Sequence, residues 1–186
     1  MKITLINGGR NDNQLEIETV NKICGSLKEK NIDYVVNNLN NIKPKPCIGC
    51  DCCQNVNPGI CAINDGINDI LKQYLNSDMS IIITPIEFGG CNSITKNFID
   101  RTEPLFLPYQ VSKGGKSMMK PRYNRYPNII FIGIMEAKDN DSIHNFNEMA
   151  TSCNLSKASN RVIIKIITEK TDLHSFNEFK FIGKEM

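Results

Sequence analysis

The chain has 186 residues, 40% hydrophobic and 23% charged, with 22 basic against 20 acidic side chains and a net charge of +2. These are the proportions of a soluble globular domain, long enough to bury roughly 70% of the surface its unfolded chain exposes. The near balance of charge excludes a surface built for nucleic acid or an anionic membrane, and no run approaches the roughly 18 apolar residues of a membrane span. Met1 to Ile6 runs straight into a strand-like pattern without the charged and apolar segments of a signal peptide. A cytoplasmic protein is expected, with reduced thiols.

Residues 2–7 read as a short buried strand, broken by Gly8-Gly9. Asn11, Asp12 and Asn13 are helix caps, and Val20, Ile23, Cys24 and Leu27 then recur at helical spacing on one face. Asp33 to Leu39 reads as a second strand. Residues 41–64 look irregular, with three prolines and five cysteines. Asp65 is a candidate cap for a helix carrying Ile67, Ile70, Leu71 and Leu75. Met79 to Ile86 is an apolar, β-branched run of the kind buried on both faces of a parallel sheet. A helix is predicted from Ser93 to Thr102. Residues 104–127, with four prolines and little periodicity, read as a long excursion. Asn128 to Met135 is a fourth strand, and Ile143, Phe146, Met149, Ala150 and Cys153 mark the next helix. Arg161 to Thr168 is a fifth strand, with a last helix from Asp172 to about Phe181.

Strands and helices therefore alternate along residues 1–186, which predicts one doubly wound α/β domain with helices on both faces of a parallel sheet. The five-strand order 2-1-3-4-5, the flavodoxin-like arrangement, has its switch point between strands 1 and 3, where such folds bind ligands at the carboxyl ends of the strands.

Two loops leave those ends with chemical content. In Asn7-Gly8-Gly9-Arg10-Asn11-Asp12-Asn13-Gln14 the glycines let backbone approach an anion, the helix start offers unpaired N–H groups, and Arg10 adds a charged donor. The plainer reading is a tight, well-capped turn. In Thr84-Pro85-Ile86-Glu87-Phe88-Gly89-Gly90, Phe88 could lie beside a flat ring and exposed N–H groups could reach ring heteroatoms; the plainer reading tucks Phe88 into the core.

Together with Lys96-Asn97-Phe98-Ile99-Asp100-Arg101, these segments resemble the NADPH-dependent FMN reductase family, including its iron–sulfur flavoproteins. The resemblance covers about residues 1–155. The second loop matches well. The first departs from the family's Gly-Ser-Pro-Arg pattern: Gly9 replaces serine, the proline is absent, and Asn13-Gln14 stands where Asn-Thr is common. The resemblance implies FMN as cofactor, its phosphate held by Gly8, Gly9, Arg10, Asn13 and Gln14 and its ring by Thr84, Pro85, Ile86, Phe88, Gly89 and Gly90. By position it adds Gly133 in the segment Gly133 to Glu136. It also implies NAD(P)H as donor, a small-molecule or protein electron acceptor, and a homodimer or tetramer.

Five of the eight cysteines fall within residues 47–61. The spacing Cys47-x2-Cys50-x2-Cys53-x7-Cys61 lets three thiolates face one cubane with a fourth arriving from further along, which fits [4Fe–4S]. Four thiolates also fit structural zinc, and packed or reactive thiols without metal remain open. Iron–sulfur flavoproteins carry such a motif at this place. Cys24 and Cys153 read as small buried hydrophobes, Cys52 as an extra thiol and Cys91 as a loop cysteine near the flavin segment. Lys113, Lys116, Lys120, Arg122 and Arg125 form a basic stretch that could attract a nucleotide, and Tyr109, Tyr123 and Tyr126 could cover the flavin or line a subunit contact. His144 and His174 read as surface residues. Three functions stand open: an FMN-dependent NAD(P)H oxidoreductase, an iron–sulfur electron carrier relaying electrons between ferredoxin-type donors and FMN, and a thiol or zinc protein on the same fold without flavin.

Overall fold

A computed structural model describes residues 1–169 and Asp172. Strands β1 (Lys2–Asn7), β2 (Asp33–Asn38), β3 (Met79–Glu87), β7 (Asn128–Ile134) and β8 (Val162–Ile167) form one parallel sheet in the order β2-β1-β3-β7-β8. This is the flavodoxin-like order expected, with the switch point between β1 and β3. The helix expected at Asp172 to Phe181, and His174 with it, lies outside the described residues.

The sheet is built by β-branched residues that alternate between two faces. Ile81 and Ile83 of β3 pack with Ile3, Leu5, Ile130 and Ile132 under Ile23 and Leu27 of helix α1 (Gln14–Glu29). Ile82, one residue out of phase, joins Ile6 and Phe131 on the opposite face. There helix α4 (Ile67–Leu75) contributes Ile70, Leu71 and Tyr74, helix α5 (Ser93–Asp100) contributes Phe98, and helix α6 (Asn140–Ser152) contributes Phe146 and Ala150. Each fully buried aliphatic or aromatic side chain stabilises the fold by about 1.5–3 kcal/mol. Short helices α2 (Leu39–Ile42), α3 (Cys52–Asn55) and α7 (Asn154–Ala158) fill the connections.

Several local expectations change. The excursion contains an antiparallel hairpin, β5 (Phe106–Lys113) with β6 (Lys116–Pro121), turning on Gly114-Gly115, both at positive φ (58° and 75°). A two-residue turn with both residues left-handed matches the twist of a hairpin, and glycine adopts it without steric penalty. Tyr126 is buried, stacked on Phe106 with ring centroids 5.7 Å apart, and its hydroxyl donates to Leu105 O. It is therefore a core residue and no flavin cover. The N-cap position of α4 is Gly66, while Asp65 one residue earlier accepts the Ile67 N–H (3.5 Å) and also pairs with Arg101. The basic stretch is partly committed: Arg122 donates to Gln54 Oε1 (2.7 Å) and the carbonyls of Pro104 and Phe106, Arg125 pairs with Asp78, and Lys113 Nζ donates to Lys157 O (3.0 Å).

Candidate functional site

At the switch point the first loop is closed on itself. Gly8 N donates to Ile83 O (2.8 Å), Gly9 N to Asn7 Oδ1 (2.9 Å), and Asn40 Nδ2 to Gly9 O. Both glycines are buried, so they shape the loop rather than line its mouth. Of the three candidate caps, Asn13 is the one used: its Oδ1 accepts the Glu16 N–H (3.1 Å). Glu16, at the N3 position, reaches back past the Asn13 N–H that a capping box would use to Arg10, three residues earlier. Its carboxylate accepts Arg10 N and takes Arg10 Nε (2.9 Å) and Nη2 (2.7 Å). Glu16 is only 1% exposed. The hydrogen bond to Glu16 keeps the Arg10 guanidinium more firmly protonated than usual, against the opposing effect of burial and with help from the charges of Glu16, Glu87 and Glu136. The donors predicted to receive a phosphate thus already select an anion, and that anion is the protein's own. Across the mouth, Asn13 Nδ2 donates to Glu136 Oε1 (2.7 Å), and Gln14 Nε2 to Glu18 (2.7 Å).

The second loop is tied to the first through Asn92, the buried N-cap of α5. Asn92 Nδ2 donates to Gly8 O (2.7 Å), its backbone N to Thr84 Oγ1 (3.2 Å), and its Oδ1 accepts Thr95 N (3.1 Å). Thr84 therefore serves the loop's shape. Beyond Pro85 and Ile86, strand β3 turns back into the two-residue strand β4 (Gly90–Cys91), with Glu87 paired to Gly90. The turn residues are Phe88 (φ 50°) and Gly89 (φ 73°). Bulky residues rarely adopt this conformation, at about 1–2 kcal/mol each. Phe88 is also fully exposed. A strained, solvent-facing phenyl at the rim contradicts the reading that buries it and suits a ring-stacking contact. Gly89 lies so close to α6 that a Cβ would stand 2.8 Å from Asn145 Cβ. Gly133 does not face the mouth: a Cβ there would meet Ile86 Cδ1 at 2.7 Å and Phe146 Cε1 at 2.8 Å, so it is glycine for packing inside the core. Glu136 is the residue of that segment that reaches the first loop.

At the other end of α5 lies the cysteine loop. Cys47, Cys50, Cys53 and Cys61 all line one cavity of about 420 Å³, with Asp100, Arg101 and Glu103 on its wall. Cys52 is not part of that lining, although its thiol hydrogen-bonds that of Cys50. Among the described residues no three metal-binding side chains converge closely enough to chelate an ion, yet the donor set of the cavity is that of a thiolate cluster. Burial, with Cys61, Glu103 and Cys47 nearby, pushes the Cys53 thiol up to about 11. Arg101 is fully buried and forms a fork on Asp65 (3.0 Å to each oxygen), while its Nε donates to Cys61 Sγ (3.1 Å). Burial disfavours the Asp65 carboxylate, but the Arg101 hydrogen bond, the Lys45 and Ile67 N–H groups and the Arg101 charge together outweigh it, holding Asp65 below the usual range. Asn68 clamps Cys61 through both its N–H and its carbonyl (2.9 Å each). Cys24 and Cys153 pack half-buried against the cores, as expected of small hydrophobes. Cys91 lies half-buried in β4, its thiol raised by burial to about 11. His144 is exposed.

The family described as NADPH-dependent FMN reductase matches residues 1–120. The chain belongs to that family. Two relatives are iron–sulfur flavoproteins. The one from Methanocaldococcus jannaschii is 30% identical over 111 residues, 60% of this chain and 56% of that one. The one from Archaeoglobus fulgidus is 34% identical over 103 residues, 55% of this chain and 49% of that one. The matched segment spans about half the length of each. Among solved structures, an NAD(P)H:quinone oxidoreductase from Methanothermobacter marburgensis superposes with TM-score 0.76 at 10% identity, covering 100% of this chain and 98% of that one. An FMN-dependent NADH-azoreductase from Bacillus anthracis in complex with FMN gives 0.64 at 14% identity, covering 98% and 96%. The fold shared with these structures extends over the whole described chain, and no described helix is long and apolar enough to cross a membrane.

Proposed function

We propose that the chain is an FMN-dependent NAD(P)H oxidoreductase that binds its flavin at the carboxyl ends of β1, β3 and β7. The observation that carries this reading is the joining of the two loops by Asn92, which sets an anion-selecting Arg10 and an exposed, strained Phe88 on one rim of the switch point. When bound, FMN supplies the acceptance of hydride and its onward release as electrons. The protein's part is binding, orientation and exclusion of water. Gly8 and Gly9 hold the loop closed, while Arg10, Asn13, Gln14 and the free N–H groups of the first turn of α1 hold the phosphate. Arg10 must leave Glu16 to do so. Pro85, Ile86, Phe88, Gly89 and Gly90 border the ring, with Thr84 fixing their loop. No side chain is assigned as general acid or base. Anaerobic addition of NADH or NADPH to the flavin-loaded protein tests this: the flavin absorbance should bleach in one rapid phase, and an unbleached flavin refutes it.

A second reading has its own support. The four cysteines on one cavity wall favour a [4Fe–4S] cluster, and with it a carrier that relays electrons between a ferredoxin-type donor and FMN. It fits a reducing compartment such as the cytoplasm and a homodimer or tetramer. A flavin that bleaches only with a reduced iron–sulfur donor, and not with NAD(P)H, separates it from the first.

A further inference from the structure

We infer that Arg101 is the positioning residue of the cysteine cavity: it latches the loop that carries all four thiols and presents a charged N–H donor to the sulfur of Cys61. This rests on the reading of the cavity as an iron–sulfur site.

The guanidinium touches the loop at both ends. Nη1 donates to Lys45 O (2.9 Å), just before Cys47, and Nη2 to Ile63 O (3.1 Å), just after Cys61. Between these lie the Asp65 fork and the Cys61 sulfur. A buried charge is retained only when its donors are satisfied and its charge is met. Here Asp65 meets the charge, and the two carbonyls and the sulfur take the remaining donors. Lysine, a point charge with three donors on a flexible stem, cannot hold that set at once. The sulfur partner is what a purely structural arginine would not require. A charged donor to a ligating thiolate stabilises the more negative, reduced state of a cluster and so raises its potential.

Arg101 also has a fixed relation to the flavin loops. It is the C-cap of α5, whose N-cap is Asn92. One helix of eight residues, about 12 Å by its rise, therefore sets the spacing between the Gly8–Thr84 junction and the Cys61 sulfur.

The test compares wild type, Arg101→Lys and Asp65→Asn, purified without oxygen, by iron and sulfide content and by redox titration of the cluster; bound FMN reports that each variant is folded. Wild type should hold four iron per chain. Arg101→Lys should lose at least half of it, and the remaining cluster should titrate at a more negative potential. Asp65→Asn removes a nearby negative charge but leaves the sulfur contact, so its cluster should shift the opposite way, to a more positive potential. An Arg101→Lys protein with full iron and an unchanged potential overturns the inference while leaving the cluster reading intact. So does a negative shift in Asp65→Asn, which decides the matter alone if Arg101→Lys fails to fold. A wild type that takes no iron overturns the cluster reading, and this inference with it.

Discussion

The junction between the two flavin loops makes a quantitative prediction at Gly8. A Cβ at this position would stand 1.9 Å from Thr95 Oγ1 and 3.3 Å from Ile83 O. Gly8→Ala therefore forces α5 away from the loop or twists the loop off its two hydrogen bonds, to Ile83 O and from Asn92. Overpacking of this kind costs about 1–3 kcal/mol, and each weakened backbone bond roughly another 1 kcal/mol. The expected loss is about 2–4 kcal/mol, or on the order of 10 °C in midpoint for a chain of this length. Thr95 Oγ1 is buried without a hydrogen-bond partner among the described residues. Thr95→Ala removes both that orphan hydroxyl and a methyl, two effects of about 1 kcal/mol and opposite sign, so alone it should be nearly neutral. The double variant should recover most of what Gly8→Ala loses, a coupling of about 2 kcal/mol in a double-mutant cycle. Urea unfolding of the four proteins measures it. Additive losses would refute the packing of α5 against this loop.

Glu16→Gln keeps the shape of the loop and frees Arg10. FMN should bind about tenfold more tightly, a gain of ~1.4 kcal/mol, while the apoprotein loses about 1 kcal/mol because Arg10 is half exposed and its pair is screened; weaker FMN binding in a fluorescence titration contradicts the anion-site reading. Phe88→Asn places Asn-Gly in the turn, the preferred sequence for that geometry. It should stabilise the fold by roughly 1 kcal/mol yet lower FMN affinity several-fold, and a variant that binds FMN like wild type removes Phe88 from the site. Asp65 has a folded pKa below its unfolded value of about 3.9, so its contribution is complete above that pH and is lost as pH falls through the depressed folded value. Urea midpoints measured from pH 6 to pH 3 should decline less steeply in Asp65→Asn than in wild type; equal slopes contradict the Arg101 fork.

The sheet was legible because its strands are runs such as Ser80-Ile81-Ile82-Ile83, apolar on both faces, separated by helices whose spacing is equally plain. The hairpin lay hidden because four prolines and little periodicity in residues 104–127 obscure its strands, although two glycines between paired runs, Gly114-Gly115, are themselves a turn signal. The rest depended on contacts across the chain. Asn13-x-x-Glu16 carries a capping pattern, but nothing local says that the carboxylate reaches Arg10. Arg101 stood inside a recognised motif, yet its partners lie 36 to 56 residues away. Gly133 looked like a flavin contact by position and proved to be glycine because Ile86 and Phe146 occupy its space. The four cysteines that the spacing groups together line one cavity, since a short loop around it leaves them few alternatives.

The most direct test of the account is the absorption spectrum of the full chain purified without oxygen, read with its flavin and iron counts. The account predicts one FMN per chain; broad iron–sulfur absorbance beneath the flavin bands, with four iron lost in Cys53→Ala while FMN stays, is the further prediction of the cluster reading. A colourless protein that takes up neither FMN nor iron on reconstitution would contradict it.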